Sequence, residues 1–138
     1  MKQTAIMEKA PGGQNHEMIL YKELGYQVQG ALQRVYNTLG PGFREETYRR
    51  ALMRELAKPG IAFEKERAID IRFDGEVIDQ YRLDLVVDSR IVVELKAVDE
   101  LRPMHEAQLL SYLRASGLRL GLLVNFGADK LQIRRKVM

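Results

Sequence analysis

The stretch "RLDLVVDSRIVVELKAV", residues 82–98, decides how this chain is read. It is the most strand-like part of the sequence, yet Asp84, Glu94 and Lys96 stand among its Leu, Ile and Val residues. An ion taken out of water is costly unless it is paired, so these charges need a reason. Side chains alternate along a strand. Glu94 and Lys96 therefore project together with Val92, while Ile91, Val93 and Leu95 point the other way. On the preceding strand Asp84 shares a face with Val86, and Leu83 shares one with Leu85 and Val87. The connection between the two runs decides whether the acids meet. A two-residue loop at Asp88–Ser89 sets Asp84 against Val93 and sends the carboxylates to opposite faces. A three-residue loop, Asp88 to Arg90, sets Asp84 against Glu94. The expectation is the odd-numbered loop, or a bulge of equal effect. Opposed carboxylates repel, and a divalent cation between them turns that cost into binding. Lys96 can then face the same anionic substrate.

Working outward, "IAFEKERAIDIRF" (61–73) alternates in part and reaches Asp74-Gly75, a strong hairpin-turn signal ahead of a strand over 77–87. The next strand is expected over 90–98. Further upstream, Leu20, Leu24, Val28, Ala31, Leu32, Val35 and Leu39 follow helical spacing, and "LGPG" (39–42) stops that helix. A second helix is expected from about Phe43 to Ala57, with Tyr48, Ala51, Leu52 and Leu56 inward and Arg49, Arg50, Arg54 and Lys58 mostly outward. Downstream, Pro103 opens a helix that Gly117 closes. A buried strand over 118–127 and an edge strand over 130–137 follow, the latter carrying Arg134, Arg135 and Lys136 as a solvated basic run. The order α-α-β-β-β-α-β-β describes an α/β domain, a mixed β-sheet flanked by helices. Residues 1–15 are polar and without periodicity, a flexible tail ahead of a single domain over 16–138.

Composition narrows the chemistry. With 138 residues the chain has room for one substantial core. The absence of cysteine removes disulfides and thiolate metal sites and fits a reducing, cytoplasmic setting. Two histidines, His16 and His105, argue against a histidine-rich zinc centre. Any metal should be a hard cation held by carboxylates. No apolar run is long enough for a membrane span, so no membrane partner is expected. The net charge of +3 is compatible with a polyanionic partner without specifying one.

An aspartate followed by E-x-K on adjacent strands, behind a helix, resembles the PD-(D/E)XK nuclease superfamily. "GFREETY" (42–48) places Gly42, Glu45 and Tyr48 as G-x-x-E-x-x-Y, and the chain from about Leu20 to Val137 resembles the GxxExxY protein family within it. "LGPGFREETY", "YRLDLVV", "VVELKAV", "HEAQLLSYL" and "GLLVNFG" occur in that family's order. One departure is Leu83, where the superfamily's name has proline. The resemblance implies a restriction-endonuclease-like core that hydrolyses phosphodiester bonds in nucleic acid, DNA rather than RNA, with Mg²⁺ or Mn²⁺. Asp84, Glu94 and the backbone carbonyl of Leu95 would be metal ligands, with Glu45 contacting the metal directly or through water. Lys96 would orient or activate the attacking water. Gln108 and Tyr112 match a Q-x-x-x-Y motif that supports such sites and contacts nucleic acid, which favours end- or single-strand-directed cleavage. Junction-resolving cleavage, a non-catalytic binding role in a repair or defence assembly, and a homodimer or partner protein stand as alternatives. Glu45 and Tyr48, three apart, share a helix face, as do Gln108 and Tyr112, four apart. Glu46, rotated by about 100° from Glu45, is expected to point elsewhere. Tyr48 is read equally as a core residue with its hydroxyl at the rim.

Overall fold

The computed structural model describes residues 20–138; the expected tail over 1–15 lies outside them. Among the described residues three helices, α1 (Lys22–Leu39), α2 (Glu45–Ala57) and α3 (Pro103–Ser116), accompany five strands. The strands are β1 (Phe63–Phe73), β2 (Glu76–Val87), β3 (Ile91–Lys96), β4 (Leu120–Asn125) and β5 (Gln132–Val137). They form one sheet in the order β1-β2-β3-β4-β5. Only β3 and β4 run parallel. A parallel pair needs a crossover, and α3 supplies it. This is the mixed-sheet α/β architecture that the periodicities imply, and it is consistent with a restriction-endonuclease-like core.

Both faces of the central strands are covered, which explains why β3 and β4 read as nearly unbroken apolar runs. On one face Leu85, Val87, Ile91, Val93 and Leu95 pack against α1 and α2 through Val28, Leu32, Leu52 and Leu56. On the other, Val86, Val92 and Leu123 meet Leu109, Tyr112 and Leu113 of α3. The far part of the β1–β2 hairpin leaves these layers and is exposed on both sides. Asp74 and Gly75 turn it at positive φ, 53° and 79°, as a two-residue hairpin loop requires.

The β2–β3 connection is the three-residue loop. Leu85 pairs with Val93, Val86 with Val92 and Val87 with Ile91, leaving Asp88, Ser89 and Arg90 to turn the chain. The Arg90 N–H donates to the Val87 carbonyl at 2.9 Å, with Asp88 and Ser89 at φ 53° and 55°. Extending this register by one residue sets Asp84 against Glu94.

Several expectations are corrected. Helix α2 begins at Glu45 rather than Phe43. Its entry is bent by Gly42, at φ 117°, a conformation that L side chains rarely adopt. Leu83 does not share a face with Leu85; it joins the α3 side with Val86. The alternation breaks because Glu66, at φ 55°, drops out of the β1–β2 pairing directly opposite Asp84. Arg49 is not outward: it is buried, with 9% of its surface exposed. Arg134 and Lys136 are partly buried rather than solvated, and both reach Glu106 on α3.

Candidate active site

Beyond Leu85 and Val93 the main-chain ladder between β2 and β3 stops, and two carboxylates take over its hydrogen bonds. The Asp84 N–H donates to Glu94 Oε2 at 2.9 Å, and the Leu95 N–H donates to Asp84 Oδ2 at 2.8 Å. The strands are thereby held apart, leaving a notch. The N–H and carbonyl of one strand residue point to the same side, so the Leu95 carbonyl also faces the notch. A cleft of about 220 Å³ opens there, lined by Glu45, Glu46, Arg49, Asp84 and Leu95.

Two helices approach from opposite sides. Glu45 is the first residue of α2, and the Tyr48 hydroxyl sets its approach. That hydroxyl donates to the Gly40 carbonyl at 2.6 Å and accepts from the Phe43 N–H at 3.1 Å. Its ring, fully buried, stacks on Phe126 with centroids 4.2 Å apart. Tyr48 is thus a core residue that ties down the loop leading to Glu45. From α3, Gln108 Oε1 accepts a hydrogen bond from Lys96 Nζ at 3.0 Å. One turn later Tyr112 packs at the rim, its ring 5.8 Å from that of Tyr81. His105 does not line the cleft, although it lies near enough to act on Glu45; its Nδ1 accepts the Arg102 N–H at 3.0 Å and caps the start of α3.

The electrostatics follow from burial. Glu94 is 4% exposed. Loss of water first, and the adjoining Asp84 second, push its carboxyl up to about 8. Asp84 is also raised, chiefly by burial, with the Leu95 N–H, Lys96 and Arg49 pulling the other way. Burial raises Glu45 too, against the attraction of Lys96. The Tyr112 phenol is raised by burial and then by Glu94. Two acids this close cannot both ionise cheaply without added positive charge.

The donors facing the notch are oxygens: two carboxylates and a main-chain carbonyl. That set suits a hard divalent cation whose remaining positions are filled by water. Among the described residues no three His, Cys, Asp or Glu side chains are gathered closely enough to hold a metal ion. Carbonyl and water would have to complete the shell, with Glu45 outside direct reach as placed.

All six side chains singled out in the sequence, Glu45, Asp84, Glu94, Lys96, Gln108 and Tyr112, meet around this notch. The sequence reading missed three neighbours. Arg49 lies four residues after Glu45 and so shares its helix face, a signal that was available. Glu46 borders the cleft as well, against expectation, because its carboxylate is drawn to Arg49 and Arg50. Asn125, fully buried at the end of β4, binds the Val98 N–H, the Val98 carbonyl and the Gly127 N–H, all at 2.9–3.0 Å. It thereby fixes the chain that leaves Lys96; a lone amide closing an apolar run was its only sign.

A family model of the PD-(D/E)XK nuclease superfamily matches residues 22–136. No curated protein and no solved structure matches the chain. Among the described residues no helix is long and apolar enough to cross a membrane.

Proposed function

The chain belongs to the PD-(D/E)XK nuclease superfamily, and from that premise we propose that it is a metal-dependent nuclease of the GxxExxY branch, built as one domain over residues 16–138. Its substrate is DNA, cut from an end or within single strands. The observation that carries this reading is the reciprocal hydrogen bonding that aims Asp84 and Glu94 into one notch beside Lys96. Without a cation those buried acids oppose each other; with one, they become ligands. Asp84, Glu94 and the Leu95 carbonyl would hold Mg²⁺ or Mn²⁺, with Glu45 contributing through water. Bound there, the cation would supply Lewis-acid chemistry toward the phosphate and its attacking water. Lys96, kept in place by Gln108, orients the attacking water and offsets negative charge as it grows on the phosphate. Tyr112 lines the rim where the nucleic acid approaches.

The test is a panel of labelled single-stranded DNA, duplex DNA, branched DNA and RNA, incubated with Mg²⁺ or Mn²⁺ and with chelator. Metal-dependent cleavage is expected, falling roughly 10²–10³-fold in Lys96→Ala, the scale of losing one charge-stabilising donor. Preference for branched DNA would turn the reading toward junction resolution. Binding without cleavage by either protein would leave a nucleic-acid-binding subunit.

A further inference from the structure

Arg49 is an unexpected occupant of the cleft. It projects from α2 and, with Glu45 and Asp84, lines the same 220 Å³ space. Its guanidinium bonds to Glu46 on its own helix and to Glu66 Oε2 on β1 at 3.1 Å. Its Nε is buried with no hydrogen-bond partner among the described residues, and such a donor is costly to leave unmet. The partner on β1 is also unusual. Glu66 holds φ 55° in the middle of a strand, outside the ladder and opposite Asp84. A non-glycine residue in that region is strained, and such strain gathers at ligand sites. An orphaned donor and a strained backbone thus converge on one guanidinium beside the notch. A helix-to-sheet strut alone would need neither.

The charges explain what it could receive. Lys96 approaches the notch from the α3 side, tethered to Gln108. Around it stand Glu45, Glu46, Glu66, Asp84 and Glu94, a strongly acidic surrounding for an anionic substrate. Lys96 acts on Glu45 across the notch, and Arg49 adds a second positive charge carried by α2 itself. A guanidinium is also a planar fork that matches two phosphate oxygens, which an ammonium does not.

We propose that Arg49 is a second phosphate-binding group of this cleft, held ready by Glu66 and taking the non-bridging oxygens of a backbone phosphate beside Asp84. The inference rests on the nuclease reading and adds to it a substrate contact. As the phosphate arrives, the Nη2–H that bonds Glu66 turns to the phosphate, and the bond from the same Nη2 to Glu46 keeps the side chain aligned.

The experiment measures binding of a labelled single-stranded DNA oligonucleotide and the matching duplex over a salt series, in chelator and in the full chain carrying Lys96→Ala, so that cleavage is suppressed twice over. Adding Arg49→Met should weaken binding roughly tenfold, about the size of a lost charged hydrogen bond. It should also lower the salt slope by about 0.7 on single strands or about 0.9 on duplex, one phosphate contact. Arg49→Lys should restore the slope but not the full affinity. Unchanged affinity and slope in Arg49→Met, with a lowered melting temperature, would reduce Arg49 to a strut and overturn the inference. Should Arg49→Met fail to fold, Glu66→Gln decides instead. Several-fold tighter binding is expected once the competing carboxylate is gone, and no change overturns the inference. If the protein with Arg49 intact neither binds nor cleaves any nucleic acid, the nuclease reading fails and takes this one with it. Lys96-dependent cleavage that ignores Arg49 sinks only the latter.

Discussion

Glu94 shows what the fold spends at one residue to make a site. Its carboxyl is buried against another acid, and in the metal-free protein it is held largely protonated near neutral pH, its pKa at about 8 against an ordinary 4.5. Between those two values the folded chain binds more protons than the unfolded chain. The stabilising contribution is complete below pH 4.5 and is lost as pH rises through about 8. Thermal unfolding in chelator should therefore give melting temperatures that fall steadily across this window. Glu94→Gln should flatten the trend, since an amide has no proton to lose; an equal slope in the variant would place the effect on other groups. Added Mn²⁺ should reverse the loss at the alkaline end, because the cation takes over the role of the proton.

At the scale of elements, the site depends on how two connections are pinned. Tyr48 fastens the loop before α2 through the Gly40 carbonyl and the Phe43 N–H. Tyr48→Phe keeps the stacked ring but strands those groups, and should cost about 1–3 kcal/mol. Cleavage should fall as well, because the first turn of α2 carries Glu45; chemical denaturation and the cleavage assay separate the two effects. The second pin is the meeting of the β3 and β4 ends. A Cβ on Gly127 would lie 2.5 Å from both the N and the O of Val98. These are backbone atoms that Asn125 already holds. Gly127→Ala should destabilise by roughly 1–3 kcal/mol, the range for forcing atoms into a packed site, and a denaturation midpoint equal to the parent's would contradict this account. Neither pin is a side chain that touches substrate, yet both set where Glu45 and Lys96 arrive.

For the molecule as a whole, the sheet is unequal in its two halves. The central strands are sealed between α1 and α2 on one side and α3 on the other. The outer β1–β2 hairpin carries Phe73 at 66% and Ile78 at 62% exposure. Apolar groups left this open contribute little to folding. Phe73→Ser and Ile78→Ser should each change the unfolding free energy by less than about 0.5 kcal/mol. A larger loss in denaturation would mean that the hairpin is covered in solution, and a concentration-dependent midpoint would point to a second copy.

The sequence by itself determined the order of elements and their periods. It also pointed to an odd-numbered loop or an equivalent bulge, either of which keeps both acids on one side of adjacent strands, and the three-residue loop is the one found. Asp84, Glu94 and Lys96 were legible as charges set in apolar strands, whereas Glu45, Gln108 and Tyr112 were picked out by resemblance to family motifs, with helix spacing adding only which side chains travel together. Tertiary structure decided the rest. Arg49 read as an outward arginine beside Arg50 until β1 placed Glu66 against it. Leu83 read as a partner of Leu85 until the irregular backbone at Glu66 broke the alternation. Asn125 looked like a polar interruption until Val98 came within its reach. Local pattern reports which face a residue occupies within its own element, but burial and pairing depend on which distant segment is laid against that face.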